Sequence, residues 1–309
     1  MSGTSLPPLL VLGATGVVGR GVVQAALVRD RPVIAVARDA GALAALQAEA
    51  PDRIIAVAGS VADDAAGAAL AARLRALDRP LGGVVACVCG RAAAGAVLDQ
   101  PADALRRRLD EDLLPHLAAA RHLLPVLATR GHNRTWVMVG GPGDARPWAG
   151  HGHRSVGAAA LRMMARVLHD EARGQGVRVH LLSVGGAVCD RPALATARPD
   201  RPSAIAIGQQ VLALVDRGHH PQSLPPVIPF DTAAPGGSTA SGHEADPSTL
   251  PPVESPPARP SLSLKCGAAT PTDRADLLPE GCQQAARRLL WGLLAPLHPA
   301  SPQDKDLPS

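Results

Sequence analysis

The chain contains no tyrosine, one phenylalanine and three tryptophans in 309 residues. No phenol is therefore available as an acid or base. The basic stripe interleaved with stacking aromatics that favours nucleic-acid binding is missing too, and the mild net charge of +4 does not replace it. Of the 31 basic residues only Lys265 and Lys305 are lysines, and Asn133 is the sole asparagine. No apolar run approaches the roughly 20 residues needed to span a bilayer, so no membrane role is expected. The cysteines Cys87, Cys89, Cys189, Cys266 and Cys282 are odd in number and lack framework spacing, and no secretory leader pattern precedes Leu9. A reducing cytoplasm is the expected compartment. Histidines and cysteines do not cluster at ligand spacing, so no metal is expected.

What is present is a strict alternation. Leu9 to Leu12 reads as a buried strand that runs into Gly13, Gly16 and Gly19, and an apolar helical pattern starts at once with Val17 and Val18. Glycines let the backbone turn tightly and approach a ligand, while the helix start offers unpaired N–H groups and positive potential to a pyrophosphate. Further strands are expected at 32–37, 54–58, 83–88, 135–139, 177–182 and 227–231, with helices at 40–49, 62–77, 102–129, 158–173 and 203–216. Pro115 and Pro125 are expected to interrupt the long helix. This order predicts an α/β fold, a doubly wound parallel sheet of about seven strands. The run Arg106-Arg107-Arg108 reads as a solvated helix face.

Prolines divide the chain. The first 220 residues hold 13 of the 30 and the last 89 hold 17, a density that sustains neither helices nor central strands. The expected organisation is a dinucleotide-binding domain over 1–231, a Pro/Ser/Gly-rich linker over 232–280, a short amphipathic helix over 281–298 and a disordered terminus over 299–309. Ala286, Leu289, Leu290, Leu293 and Leu294 form the apolar face of that helix.

The glycine loop, Gly176-Val177-Arg178-Val179-His180, Val184-Gly185-Gly186-Ala187-Val188 and the helix at 203–216 fall in the order and at the intervals of one family. Over residues 8 to 231 the chain resembles the short-chain dehydrogenases/reductases. The resemblance implies a Rossmann-like fold and a bound nicotinamide dinucleotide held by Gly13, Thr15, Gly16, Val17, Val18 and Gly19. Ser60 and Val61 stand where the family commonly has Asp-Val beside the adenine, and Gly90 ends the family's N-N-A-G segment, here Cys87-Val88-Cys89-Gly90. The two thiols read as small packing residues. Arg38, at the end of the second strand, favours NADP(H) over NAD(H), because a guanidinium grips a 2′-phosphate where a carboxylate would bind the ribose diol.

The same resemblance locates a catalytic tetrad of asparagine, serine, tyrosine and lysine, and the chain departs from it at every position. Asp112, Gly141, Arg154 and Ala158 stand there instead. Arginine keeps its proton near pH 7 and cannot replace the tyrosine. Two readings follow. One is a chain that binds NADP(H) without the standard chemistry and acts as a regulatory or accessory subunit. The other is an oxidoreductase acting on a carbonyl or alcohol, with a site rebuilt from the loop holding Asp144, Arg146, Trp148, His151, His153, Arg154 and Ser155, where Asp144 would orient His151 or His153. A polar surface loop that has drifted is the plain alternative for that stretch, and Arg154 beside an anion an intermediate one. A small-molecule ligand remains open, and the family's habit implies a homodimer built on the helices at 102–129 and 158–173.

Overall fold

A computed structural model of the chain describes residues 6–90, 94–129, 134–188, 201–217 and 224–230. The apolar runs become seven parallel strands: β1 (Leu9–Leu12), β2 (Val33–Ala37), β3 (Ile54–Ala58), β4 (Gly83–Ala86), β5 (Arg134–Gly140), β6 (Val177–Ser183) and β7 (Val227–Pro229). Between them lie α1 (Val17–Val28), α2 (Ala40–Ala48), α3 (Asp64–Ala76), α4 (Ala102–Asp112), α5 (Leu114–Ala128), α6 (Gly152–Ala172) and α7 (Ala204–Asp216). The strand order is β3-β2-β1-β4-β5-β6-β7, so the chain reverses its direction of travel between β1 and β4. In such sheets ligands bind at that switch point, beyond the carboxyl ends of the strands.

Alternation along the strands feeds two cores. Leu10, Leu12, Ile34, Val84, Trp136 and Met138 join one buried cluster with Leu70 of α3, Leu123 of α5 and Leu161 of α6. Leu9, Val11, Val33, Ala35 and Val137 join the other with Val22 of α1, Leu43 of α2 and Ile207 of α7. Both sheet faces are covered, which is why the strands read as continuous apolar runs and not as alternating ones. All described residues fall in one unit, 1–238, while a second unit, 239–309, lies wholly outside them. The expected linker over 232–280, amphipathic helix over 281–298 and terminus over 299–309 therefore fall outside the described residues, as do Asn133, Cys189 and Asp231.

The helices differ from expectation in two places. The region 102–129 divides at Leu113, not at its prolines. Pro115 lies in the first turn of α5, where its missing N–H would have had no intrahelical acceptor. Pro125 sits inside α5, whose last turn persists, with Thr129 N–H donating to the Pro125 carbonyl at 3.2 Å. The second difference bears on function: α6 begins at Gly152, six residues before the expected start. Ser155 N–H already donates helically to the His151 carbonyl at 3.0 Å, so His153, Arg154 and Ser155 belong to a helical turn and not to a loop. Ser155 ties that turn to the preceding segment by accepting from Trp148 N–H at 2.8 Å.

Candidate functional site

The loop after β1 is shaped by backbone contact. Gly13 has φ +74, and a Cβ there would run into the Cys87 carbonyl at the end of β4. A Cβ on Gly19 would strike the Gly13 carbonyl, so α1 packs on the turn with no room for a side chain. Gly13 and Ala14 N–H both donate to the Val36 carbonyl, at 2.9 and 3.0 Å, which fastens the turn to β2. Helix α1 follows Gly16 at its N-cap, with no side-chain cap and no acidic residue in its first turn. Its first N–H groups, Val17, Val18 and Gly19, have no intrahelical acceptor, and Val17 and Gly16 are exposed around them. This is a cradle for an anion such as a pyrophosphate. Thr15 borders it, half-buried, with its carbonyl accepting from Arg20.

On the β2 side of the cradle, Arg38 is exposed immediately after β2. The adjacent carboxylate of Asp39 is committed to capping α2, accepting from Ala42 N–H at 3.0 Å. Ser60 accepts from Ala62 N–H at 3.1 Å in a local turn, and Val61 is buried in the core. Ser60 thus faces a task of its own, and Val61 supplies an apolar wall.

On the β4 side the segment Cys87 to Gly90 is held from α4 and α5. Asp112 Oδ1 accepts from Gly90 N–H at 2.6 Å, and the imidazole of the fully buried His116 bonds the Val88 carbonyl through Nε2 at 2.9 Å. Only a protonated Nε2 can donate to a carbonyl, and burial lowers the pKa of His116, so its neutral Nε2–H tautomer makes this bond. Cys87 is half-buried, its thiol pushed up by desolvation, as suits a packing residue. Cys89 is exposed, which corrects its reading as a packing residue: it sits at the cleft, within electrostatic reach of Arg154, Asp112 and Arg108. Arg108 is a second correction. Arg106 and Arg107 are exposed, but Arg108 is buried between Asp112 at 3.3 Å and Glu111 at 3.4 Å, because one helical turn brings 108, 111 and 112 together on the inner face of α4.

Residues 8–197 match the model of the family described as short chain dehydrogenase. The chain belongs to the short chain dehydrogenase family. Solved structures of similar fold include a short-chain dehydrogenase from Streptomyces avermitilis, 24% identical, covering 74% of this chain and 89% of its own, with a TM-score of 0.61. An NADPH-bound short chain oxidoreductase from Pseudomonas aeruginosa PAO1, containing an atypical catalytic center, is 18% identical over 75% of this chain and 98% of its own, with a TM-score of 0.63. L-sorbose reductase from Gluconobacter frateurii, solved with NADPH and L-sorbose, is 16% identical over 74% of this chain and 97% of its own, with a TM-score of 0.62. No curated protein matches the sequence. At these identities the structural likeness concerns the fold alone.

The residues after β5 and at the start of α6 lie side by side. Of the four positions that the resemblance sets as a tetrad, the structure brings Arg154 beside Gly141. Gly141 follows β5, and the Arg154 guanidinium lies 3.7 Å from where a Cβ on Gly141 would stand. Ala158 is one turn further along α6, and Asp112, on α4, is occupied by Gly90 and Arg108. Arg154 packs over the Trp148 ring at 5.7 Å, and Trp148 stacks on His151 with centroids 3.9 Å apart.

The segment between Asp144 and Ser155 is tied down at both ends, while residues 145–147, 149 and 150 between them are exposed. Asp144, only 5% exposed in its side chain, accepts from Ser183 Oγ at 2.6 Å and from Arg162 at 3.0 Å, joining the loop to β6 and α6. It bonds neither histidine: His151 is stacked on Trp148, and His153 is buried in the first turn of α6. Among the described residues no three His, Cys, Asp or Glu side chains are placed to hold a metal. No helix among them is long and apolar enough to cross a membrane. Sequence reasoning missed Arg108, His116 and Ser183. The spacing Arg108, Glu111, Asp112 and the lone His116 in an alanine-leucine helix were the available signals for the first two.

Proposed function

We propose that the chain binds NADP(H) in the glycine cradle and works as a cofactor-dependent regulatory or accessory subunit, without the standard chemistry of its family. One observation supports this reading: the side chain beside Gly141 is the guanidinium of Arg154, the residue that the resemblance sets at the acid/base position, with Ala158 one turn on. A guanidinium stays protonated near neutral pH, and removing a positioned general acid alone costs a factor of about 10² to 10⁴ in rate. The rival, an oxidoreductase rebuilt around His151 or His153, needs an oriented imidazole, and Asp144 is already committed to Arg162 and Ser183.

The cradle fits a dinucleotide by its closed glycine contacts and unpaired helix-start N–H groups. NADP(H) is preferred over NAD(H) in this proposal because exposed Arg38 follows β2 while Asp39 is turned to its cap. The NADPH-bound relative with an atypical catalytic center is in keeping with it. We further propose a homodimer through α5 and α6, which expose Leu114, Leu117, Val156, Met163 and Val167. A cytoplasmic location remains the proposal that the cysteine usage supports.

The test is to titrate the full-length protein with NADPH and NADH, then to follow NADPH absorbance over ketones, aldehydes and quinones. Tight NADPH binding without turnover is the expected result. Turnover that disappears when His151 or His153 is replaced would establish the rival, and no binding at millimolar cofactor would remove both.

A further inference from the structure

Resting on the placement of the cleft above, we propose that Arg154 anchors an organic carboxylate, seated where the family's tyrosine and serine positions meet. Arg108 of α4 and Arg154 of α6 both lie within electrostatic reach of Cys89, and Arg162 follows two turns further along α6. Arg108 is neutralised by Asp112 at 3.3 Å and Arg162 by Asp144 at 3.0 Å. Arg154 has no carboxylate partner among the described residues. Its contact is the Trp148 ring, 5.7 Å from the guanidinium carbon.

The guanidinium is held ready for a ligand. The ring of Trp148 is stacked on His151, and the backbone N–H of Trp148 donates to Ser155 Oγ at 2.8 Å, so the ring beneath Arg154 is stacked and its backbone is held. The space above it is open on the Gly141 side: among the described residues beyond its chain neighbours, Arg154 is the one side chain within 4 Å of a Cβ built on Gly141. Exposed Cys89 completes the border and feels the Arg154 charge.

The ligand class follows from charge and shape. One half-buried guanidinium remains uncompensated, the carboxylates of Asp112 and Asp144 being taken up by Arg108 and Arg162, and a single cation suits a monoanion better than a dianion. A planar fork of N–H donors matches a carboxylate with two parallel bonds. Binding would need no proton transfer from Arg154.

The experiment uses the full-length chain with NADPH present. Its melting temperature is measured with benzoate, benzamide and inorganic phosphate at matched ionic strength. Alkylation of Cys89 by iodoacetamide is followed in parallel by peptide mass spectrometry. Benzoate should raise the melting temperature and slow Cys89 alkylation, and benzamide should do neither. Arg154→Gln should weaken the benzoate effect at least about tenfold, the scale of a charged bidentate pair, with Arg154→Lys keeping part of it. Benzamide or phosphate matching benzoate, no response to benzoate, or an undiminished response in Arg154→Gln would overturn the proposal. If Arg154→Gln fails to fold, the comparison of benzoate with benzamide on the unaltered chain still decides. NADPH binding is read separately from its own melting shift. Cys89 protection by benzoate without an NADPH shift removes the cofactor reading and leaves the carboxylate site standing, and the converse removes only the site.

Discussion

Asp112 Oδ1 accepts the backbone N–H of Gly90 at 2.6 Å, while Oδ2 of the same carboxylate receives Arg108 at 3.3 Å. Asp112 is thus a clamp that ties α4 to the segment after β4. Hydrogen bonds to a charged group contribute about 1.5–3 kcal/mol each in buried settings. Asp112→Ala should cost about 1–3 kcal/mol in urea denaturation, since Glu111 still reaches Arg108. Asp112→Asn keeps an acceptor for Gly90 and should cost less than half as much. Equal losses in the two variants would show that the charge, and not the Gly90 bond, carries the effect.

The proposed preference for NADP(H) rests on Arg38. Arg38→Asp removes the cation expected at the 2′-phosphate and supplies an acceptor for a ribose diol. NADPH affinity should fall about 10- to 100-fold, the weight of a charged hydrogen-bonded contact, while NADH affinity stays level or rises. Gly19→Ala, whose Cβ would meet the Gly13 carbonyl, should abolish binding of both. Fluorescence titration of NADPH and NADH against the three proteins separates the contributions.

His180 lies 1% exposed in β6, donating through Nδ1 to the Pro225 carbonyl at 2.9 Å, with His169 and Arg178 nearby. Burial first, then these neighbours, lower its pKa to about 4 against the Pro225 bond. The unfolded chain, with a histidine near 6.5, therefore binds a proton that the folded chain refuses between those values. Stability is full above about pH 6.5 and is lost as pH falls toward 4, by up to about 3 kcal/mol. His180→Asn retains a donor for Pro225 and should flatten that part of the pH profile. An unchanged slope would assign the acid sensitivity to other groups.

The sheet was legible because both of its faces are covered. Continuous apolar runs such as Leu9–Leu12 and Val33–Ala37 have no other stable place, and Gly13 and Gly19 mark contacts too close for any side chain. The absence of every tyrosine, and of every lysine before residue 265, is a fact of composition alone. The start of α6 was not legible. Gly150 and Gly152 punctuate that stretch as a loop would, and the bond from Trp148 N–H to Ser155 that begins the helix is a pairing no periodicity reveals. Arg108 was misread for a related reason: three consecutive arginines look alike in sequence, and only the turn of α4 decides which one meets Asp112.

The interaction of Asp144 with Arg162 offers the sharpest check that the α6 entry is a built structure. Asp144 is nearly buried and bonds both Arg162 and Ser183. Removing the carboxylate leaves a guanidinium and a hydroxyl without their acceptor, whereas removing Ser183 leaves the ion pair intact. Asp144→Ala should therefore cost about 2–4 kcal/mol and Ser183→Ala about 1. In a double-mutant cycle, Asp144→Ala combined with Arg162→Ala should lose less than the sum of the single changes, by about 1–2 kcal/mol, because the first change already abolishes what the second removes. Additive losses would mean that the two side chains do not act as a pair in solution, and the loop shaping the Arg154 border would then lack its main tether. Chemical denaturation of the four proteins at one pH above 6.5, where His180 does not titrate, gives the answer.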